Sequence, residues 1–142
     1  MYEQDYIMRM IEKFFSELNK FIHGKPLENL STQENRLSNL YGSYLQADSS
    51  FFYTSDVKTI FTFLSERCNE QDLPSQIEIL SELLYQDGLL KEDKTLQASL
   101  LQKALFFFNY IEEISETYSM EREKKRFFIR KELETNNLAY NL

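Results

Sequence analysis

Residues 3–22 read EQDYIMRMIEKFFSELNKFI, and this stretch decides the fold class. Ile7, Met10, Ile11, Phe14, Leu18, Phe21 and Ile22 recur at spacings that gather them on one face of an amphipathic helix. Glu3 and Asp5 suit its N-terminal end, where the helix dipole favours negative charge. His23-Gly24-Lys25-Pro26 predicts its end, because Gly accepts a left-handed conformation and Pro cannot continue the helix.

The pattern repeats along the chain. Ser31-Thr32-Gln33-Glu34 reads as a capping box, with Ser31 at the N-cap of a second helix running to about Gln46. Its apolar stripe is Leu37, Leu40, Tyr41, Tyr44 and Leu45. Asp48-Ser49-Ser50 breaks it, and Phe51-Phe52-Tyr53 is expected to plug the connection. Ser55 is expected to cap a third helix over 56–68, with Val57, Ile60, Phe61 and Leu64 inward. Pro74 fits the first turn of a fourth helix, where its missing N–H costs nothing. That helix carries Ile77, Leu80, Leu83 and Leu84. Gly88 either caps it or sits inside it where another helix packs close; Leu89 and Leu90 prolong the stripe and favour the second reading. A fifth helix over 95–118 is apolar most of the way round, from Leu100 through Phe106, Phe107, Phe108 and Tyr110 to Ile114. Such a helix is central or covered by a partner. A last helix over 120–135 sets Met120, Phe127, Phe128, Ile129 and Leu133 among charges.

These elements predict an all-α fold, a bundle of five or six helices. A chain of 142 residues suits one domain, and three Gly and two Pro are too few to punctuate an all-β fold. Residues 1–72 would hold the N-terminal helices, 73–136 a helical hairpin and the final helix, and 137–142 a loose tail. The net charge of −7 disfavours non-specific attachment to nucleic acid or anionic membrane. One cysteine permits no internal disulfide and points to a reducing compartment. The first residues lack the basic start and apolar run of a signal peptide. The longest apolar run, Ala104 to Phe108, is far short of the roughly 20 residues that span a bilayer. A cytoplasmic location without membrane attachment is expected.

Asp5-Tyr6-Ile7-Met8-Arg9-Met10-Ile11-Glu12 resembles the start of an uncharacterised bacterial family of small helical proteins, a domain-of-unknown-function family. Members close with a helical pair similar to a tetratricopeptide repeat. Ile79-Leu80-Ser81-Glu82-Leu83-Leu84-Tyr85-Gln86-Asp87-Gly88-Leu89 resembles the first helix of that pair, and Gln102-Lys103-Ala104-Leu105 the later part of the second. The resemblance implies a tetratricopeptide-repeat-like C-terminal half, with Gly88 and Ala104 at the small positions where the helices touch. These two lie closer in sequence than in that repeat, and Gln97 stands where a small residue is expected, so the turn is shortened. The resemblance implies no activity.

Catalytic chemistry finds few residues to use. A lone His23 at a helix end rules out the paired-histidine sites of di-iron bundles and zinc proteases. Cys68, the one thiol, lies near a helix C-terminus beside Glu66 and Glu70, which disfavours a reactive thiolate. No Gly-rich loop or nucleophile elbow is present. Glu78 and Glu82 share a helical face, as do Glu112 and Glu116; such pairs can serve acid–base work but are commonly solvated surface. Arg122, Lys124, Lys125, Arg126, Arg130 and Lys131 form a basic cluster interrupted by Glu121, Glu123, Glu132 and Glu134. A solvated face or an acidic protein partner explains it better than nucleic acid.

The 12 Phe and 9 Tyr often stand side by side. Neighbours on a helix point about 100° apart, so adjacent aromatics cannot all face one core. The expected function is therefore a non-catalytic protein–protein interaction module, bound to another polypeptide or to itself. Tyr85, Phe107, Tyr110, Arg126, Phe127 and Arg130 are the expected contacts. A small-ligand binder or carboxylate-based enzyme, and a nucleic-acid-associated regulator, are the alternatives. No metal and no cofactor are expected.

Overall fold

The structure, a computed structural model, describes residues 2–23 and 29–135, with side chains described from residue 6 onward. Among these residues every regular element is helical. They form α1 (Tyr2–Ile22), α2 (Leu30–Leu40) continued by a π-helical turn (Tyr41–Leu45), α3 (Ser49–Thr54), α4 (Val57–Arg67), α5 (Leu73–Leu90), α6 (Lys94–Ile114) and α7 (Met120–Thr135). The all-α expectation holds, with one helix beyond the five or six expected. The addition is α3: Phe51-Phe52-Tyr53 winds into a short helix rather than plugging a loop. One turn suffices to drive Phe52 to complete burial, where its ring stacks on Tyr41 at 5.2 Å.

Caps explain the boundary differences. Asn29, not Ser31, caps α2, its Oδ1 accepting the Thr32 N–H at 2.8 Å. Asp56, not Ser55, caps α4 by accepting the Thr59 N–H at 2.7 Å. Asn and Asp are at least as good as Ser in this role, so an upstream Asn or a downstream Asp displaces it. Pro74 does lie in the first turn of α5. α6 stops at Ile114, short of the expected 118, because Ser115 Oγ turns to Thr117, donating to its carbonyl at 3.0 Å and accepting its N–H at 3.2 Å. Short polar side chains compete with the helix in this way. Gln46 closes the π-helical turn at φ 60°, in the left-handed region. The predicted terminator of α1 at 24–26 and the tail at 137–142 lie outside the described residues.

The hairpin α5–α6 is the centre. Its connection spans only 91–93, which makes the two helices antiparallel neighbours. Gly88 sits inside α5 where α6 comes closest: a Cβ there would lie 2.9 Å from Leu101 Cδ2. Ile77, Ile79, Leu80, Leu83 and Leu84 of α5 are wholly buried. So are Leu100, Ala104, Phe107 and Phe108 of α6, positions that span more than one helical face. α6 is thus covered on several sides, α5 on one, α7 on another, and α3 and α4 on a third. On that third side Lys103 Nζ donates to the Phe52 and Tyr53 carbonyls, each at 2.9 Å, and Tyr110 meets the Phe61 ring edge-on. One apolar cluster joins residues from all seven helices. The contribution of α7 is small: Ile129 is its one fully buried side chain. No described helix is long and apolar enough to cross a membrane.

Candidate functional site

The adjacent aromatics divide between core and surface as helical geometry requires. Phe14 is buried while Phe15 is partly covered; Phe107 and Phe108 are buried while Phe106 is 46 % exposed. On α7 neither partner of the pair is buried: Phe127 is 58 % and Phe128 38 % exposed. Phe128 still leans on Tyr85, ring centroids 6.1 Å apart. Phe127 points outward, one and two turns beyond Lys124 and Met120. Tyr118 and Met120 are 69 % and 61 % exposed. With Phe127 they line a shallow hollow beside Glu123 and Lys124.

Why α7 presents this face follows from its inward one, which is charged. Arg122 Nε donates to Glu112 Oε2 at 2.8 Å and its Nη2 to the Thr117 carbonyl at 3.1 Å. Lys125 Nζ reaches Glu82 Oε2 at 2.6 Å. Arg126 donates to Asn109 Oδ1 at 2.8 Å and pairs with Glu123 at 2.5 Å. Half of the basic cluster is therefore spent on holding α7 to α5 and α6. Lys124, Arg130 and Lys131 remain outside. Lys124 and Lys131 make only exposed, loose pairs with Glu121 and Glu134 at 3.8 and 3.7 Å, worth well under about 1 kcal/mol. Lys131 also lies over the Phe127 ring at 5.4 Å.

Beneath α7 lies a second feature, a cleft of about 270 Å³ walled by α1, α5, α6 and α7. Phe15, Phe108 and Ile111 give it an apolar lining; Glu78 and Glu82 from α5 and Glu121, Arg122 and Lys125 from α7 give it charge. Burial first and the neighbouring Glu82 second push the Glu78 carboxyl up, with Arg122 and Lys125 opposing. Glu82, 6 % exposed, is also pushed up by burial despite its Lys125 partner.

The third feature is internal. Asp87 is fully buried, and its Oδ2 accepts hydrogen bonds from Tyr41 Oη at 2.9 Å and from Tyr53 Oη. Its Oδ1 lies 3.0 Å from Lys91 Nζ, an ion pair whose angles fall outside those of a hydrogen bond. Lys91 also stands 3.6 Å from Glu34. Burial, then Asp87, raise the Tyr41 phenol well above its ordinary value; the same causes, partly offset by Lys91, push Tyr53 up to about 12. For Lys91, burial works downward, but Tyr53 and Asp87 more than reverse it and the net shift is upward. This network ties α2 and the turn that continues it, α3 and α5 together.

The six expected contacts do not converge. Phe127 and Arg130 are exposed on α7. Arg126 is partly buried by its own partners, and Tyr85 is half-covered between Phe108 and Phe128. Tyr110 is on the far side of α6, against α4. Phe107 is wholly buried and offers a partner nothing; the many-sided covering of α6 takes it into the core. Tyr118 and Met120, outside the six expected contacts, are the further exposed apolar side chains beside Phe127. Tyr118 lies in the connection between α6 and α7, and Met120 begins α7. Cys68 is partly buried at the end of α4, its Sγ 3.1 Å from the Leu64 carbonyl, and burial and then Asp72 push the thiol up. Among the described residues no group of three or more His, Cys, Asp or Glu is placed to hold a metal ion. Comparison of the chain with protein-family models, curated proteins and solved structures finds no match.

Proposed function

We propose that this protein is a non-catalytic protein–protein interaction module that docks through the α6–α7 turn and the outer face of α7. The observation that carries this reading is the exposure of Tyr118, Met120 and Phe127 together, beside Lys124. Burying an apolar side chain of this size against a partner is worth about 1.5–3 kcal/mol. Three of them together are comparable with the lower part of the roughly 4–15 kcal/mol that association costs. The face alone thus supports weak binding, and flanking charge must add to it. Lys124, Arg130 and Lys131 supply that charge, and they select a partner surface that is apolar at its centre and acidic at its rim.

The finer reading of the fold belongs here too. The α5–α6 hairpin, with Gly88 against Leu101 and Ala104 buried, is consistent with a tetratricopeptide-like unit and with membership of the small helical bacterial family described above. The single cysteine supports a cytoplasmic setting. The engagement of Arg122, Lys125 and Arg126 with protein groups weighs against nucleic acid, since it removes half of the basic cluster from the surface. The test is a photo-crosslinking amino acid placed at Tyr118 or Lys124, with exposed Glu92 as the control site. A single adduct of defined mass at the first two positions and none at Glu92 is expected. Equal labelling at all three, or none at any, would remove the reading.

A further inference from the structure

The cleft under α7 is more recessed than the hollow on the outer face, and it holds a carboxylate with no partner among the described side chains. Lys125 is committed to Glu82 and Arg122 to Glu112. The carboxylate of Glu78, on the same face of α5 one turn before Glu82, makes no hydrogen bond or ion pair with any described side chain, although the residue is partly buried and lines the cleft. A carboxylate in such a place is incompletely solvated, and its neighbours Arg122 and Lys125 attract it only from a distance while Glu82 repels it. Phe15 and Ile111 set apolar surface close by. The volume of about 270 Å³ is below the roughly 300–1,000 Å³ of sites for drug-sized ligands. A nucleotide or a folded peptide segment is too large for it.

We infer that the cleft between α1, α5, α6 and α7 binds a small organic cation, a short alkylammonium ion whose charged head pairs with the Glu78 carboxylate and whose chain lies on Phe15 and Ile111. An ammonium head supplies the donors that Glu78 lacks, and a chain of a few carbons fills the apolar part that an inorganic ion would leave empty. The Glu82–Lys125 pair forms the adjoining wall and stays intact. This inference is independent of the docking face, because none of Tyr118, Met120 and Phe127 lines the cleft.

The test is an NMR titration of the full chain with n-butylammonium chloride at constant ionic strength, reading the Ile111 methyl signals. Saturable shifts in the millimolar range are expected. Glu78→Gln, nearly isosteric, should weaken binding by about tenfold or more, the loss expected when a charged hydrogen-bond partner becomes neutral. Its circular dichroism should match the wild type and its melting should be no lower, and Glu92→Gln, the same charge change outside the cleft, should leave binding unaltered. The inference is overturned if Ile111 shows no saturable shift, or if Glu78→Gln binds as the wild type does. Equal weakening by Glu92→Gln would overturn it as well, by assigning the effect to net charge. Calcium chloride producing the same saturable shifts would also overturn it, in favour of an inorganic cation.

Discussion

Replacing Asp87 by Asn tests the internal network most sharply. The side chain keeps its shape but loses the charge that faces Lys91 Nζ at 3.0 Å, and its amide NH2 must face either Lys91 or the two phenols, which share Oδ2. Lys91, whose side chain is only 9 % exposed, then keeps Glu34, at 3.6 Å and 39 % exposed, as its one carboxylate, beside the Tyr53 ring at 5.0 Å. Removing one member of a buried pair costs about 3–5 kcal/mol, and the residual Glu34 contact places this case near the lower end. For a domain of this size that is a fall of about 10 °C in melting temperature and a large part of a typical stability of about 5–15 kcal/mol. The assay is urea and thermal unfolding followed by circular dichroism, with Lys91→Met and the double variant completing a cycle. The double variant should be less destabilised than the sum of the singles by about 1–3 kcal/mol. Additive singles, or Asp87→Asn melting beside the wild type, would refute the coupling.

Other outcomes follow from the same geometry. Gly88→Ala should destabilise by about 1 kcal/mol, because overpacking against Leu101 outweighs the gain in helix propensity. Gly42→Ala, with nothing within 4 Å of the new methyl, should instead stabilise by up to about 1 kcal/mol; chemical denaturation of both variants checks the contrast. The network also has an alkaline signature. Tyr41, Tyr53 and Lys91 all hold their protons more tightly in the folded state, so their contribution is complete below the ordinary tyrosine value of 10.0 and is lost as pH rises from there through about 12. Unfolding free energy measured across that range should fall with pH, and Tyr53→Phe should flatten the fall. Lys125→Met should destabilise by about 3 kcal/mol by leaving buried Glu82 alone, and melting of that variant at neutral pH reads it directly.

The legible part of this fold is the part that periodicity carries. α1, α5, α6 and α7 announce themselves by apolar spacing, and Gly88 by an apolar stripe that continues past it. Boundaries set by competing caps were less legible: Asn29 and Asp56 are each as good as the serines nearby, and only the backbone path decides between them. The site was partly legible. Phe127 lies among charges, which suggests exposure, whereas Phe107 stands in a run of three Phe and nothing local says which ring turns inward. The division of the basic cluster was invisible, because Arg122, Lys125 and Arg126 find their partners on α5, α6 and α7 itself through three-dimensional packing. Glu78 and Glu82 were visible as a pair on one face, but which of them would be neutralised depended on where α7 came to rest.

The docking face is tested most directly by native mass spectrometry of the protein gently purified from its own cells, alongside a Met120→Asp/Phe127→Asp variant. The account predicts a stoichiometric second polypeptide, or a homo-oligomer, that the variant loses while keeping its helical content. A bare monomer in both, or a complex that survives the two substitutions, would contradict it.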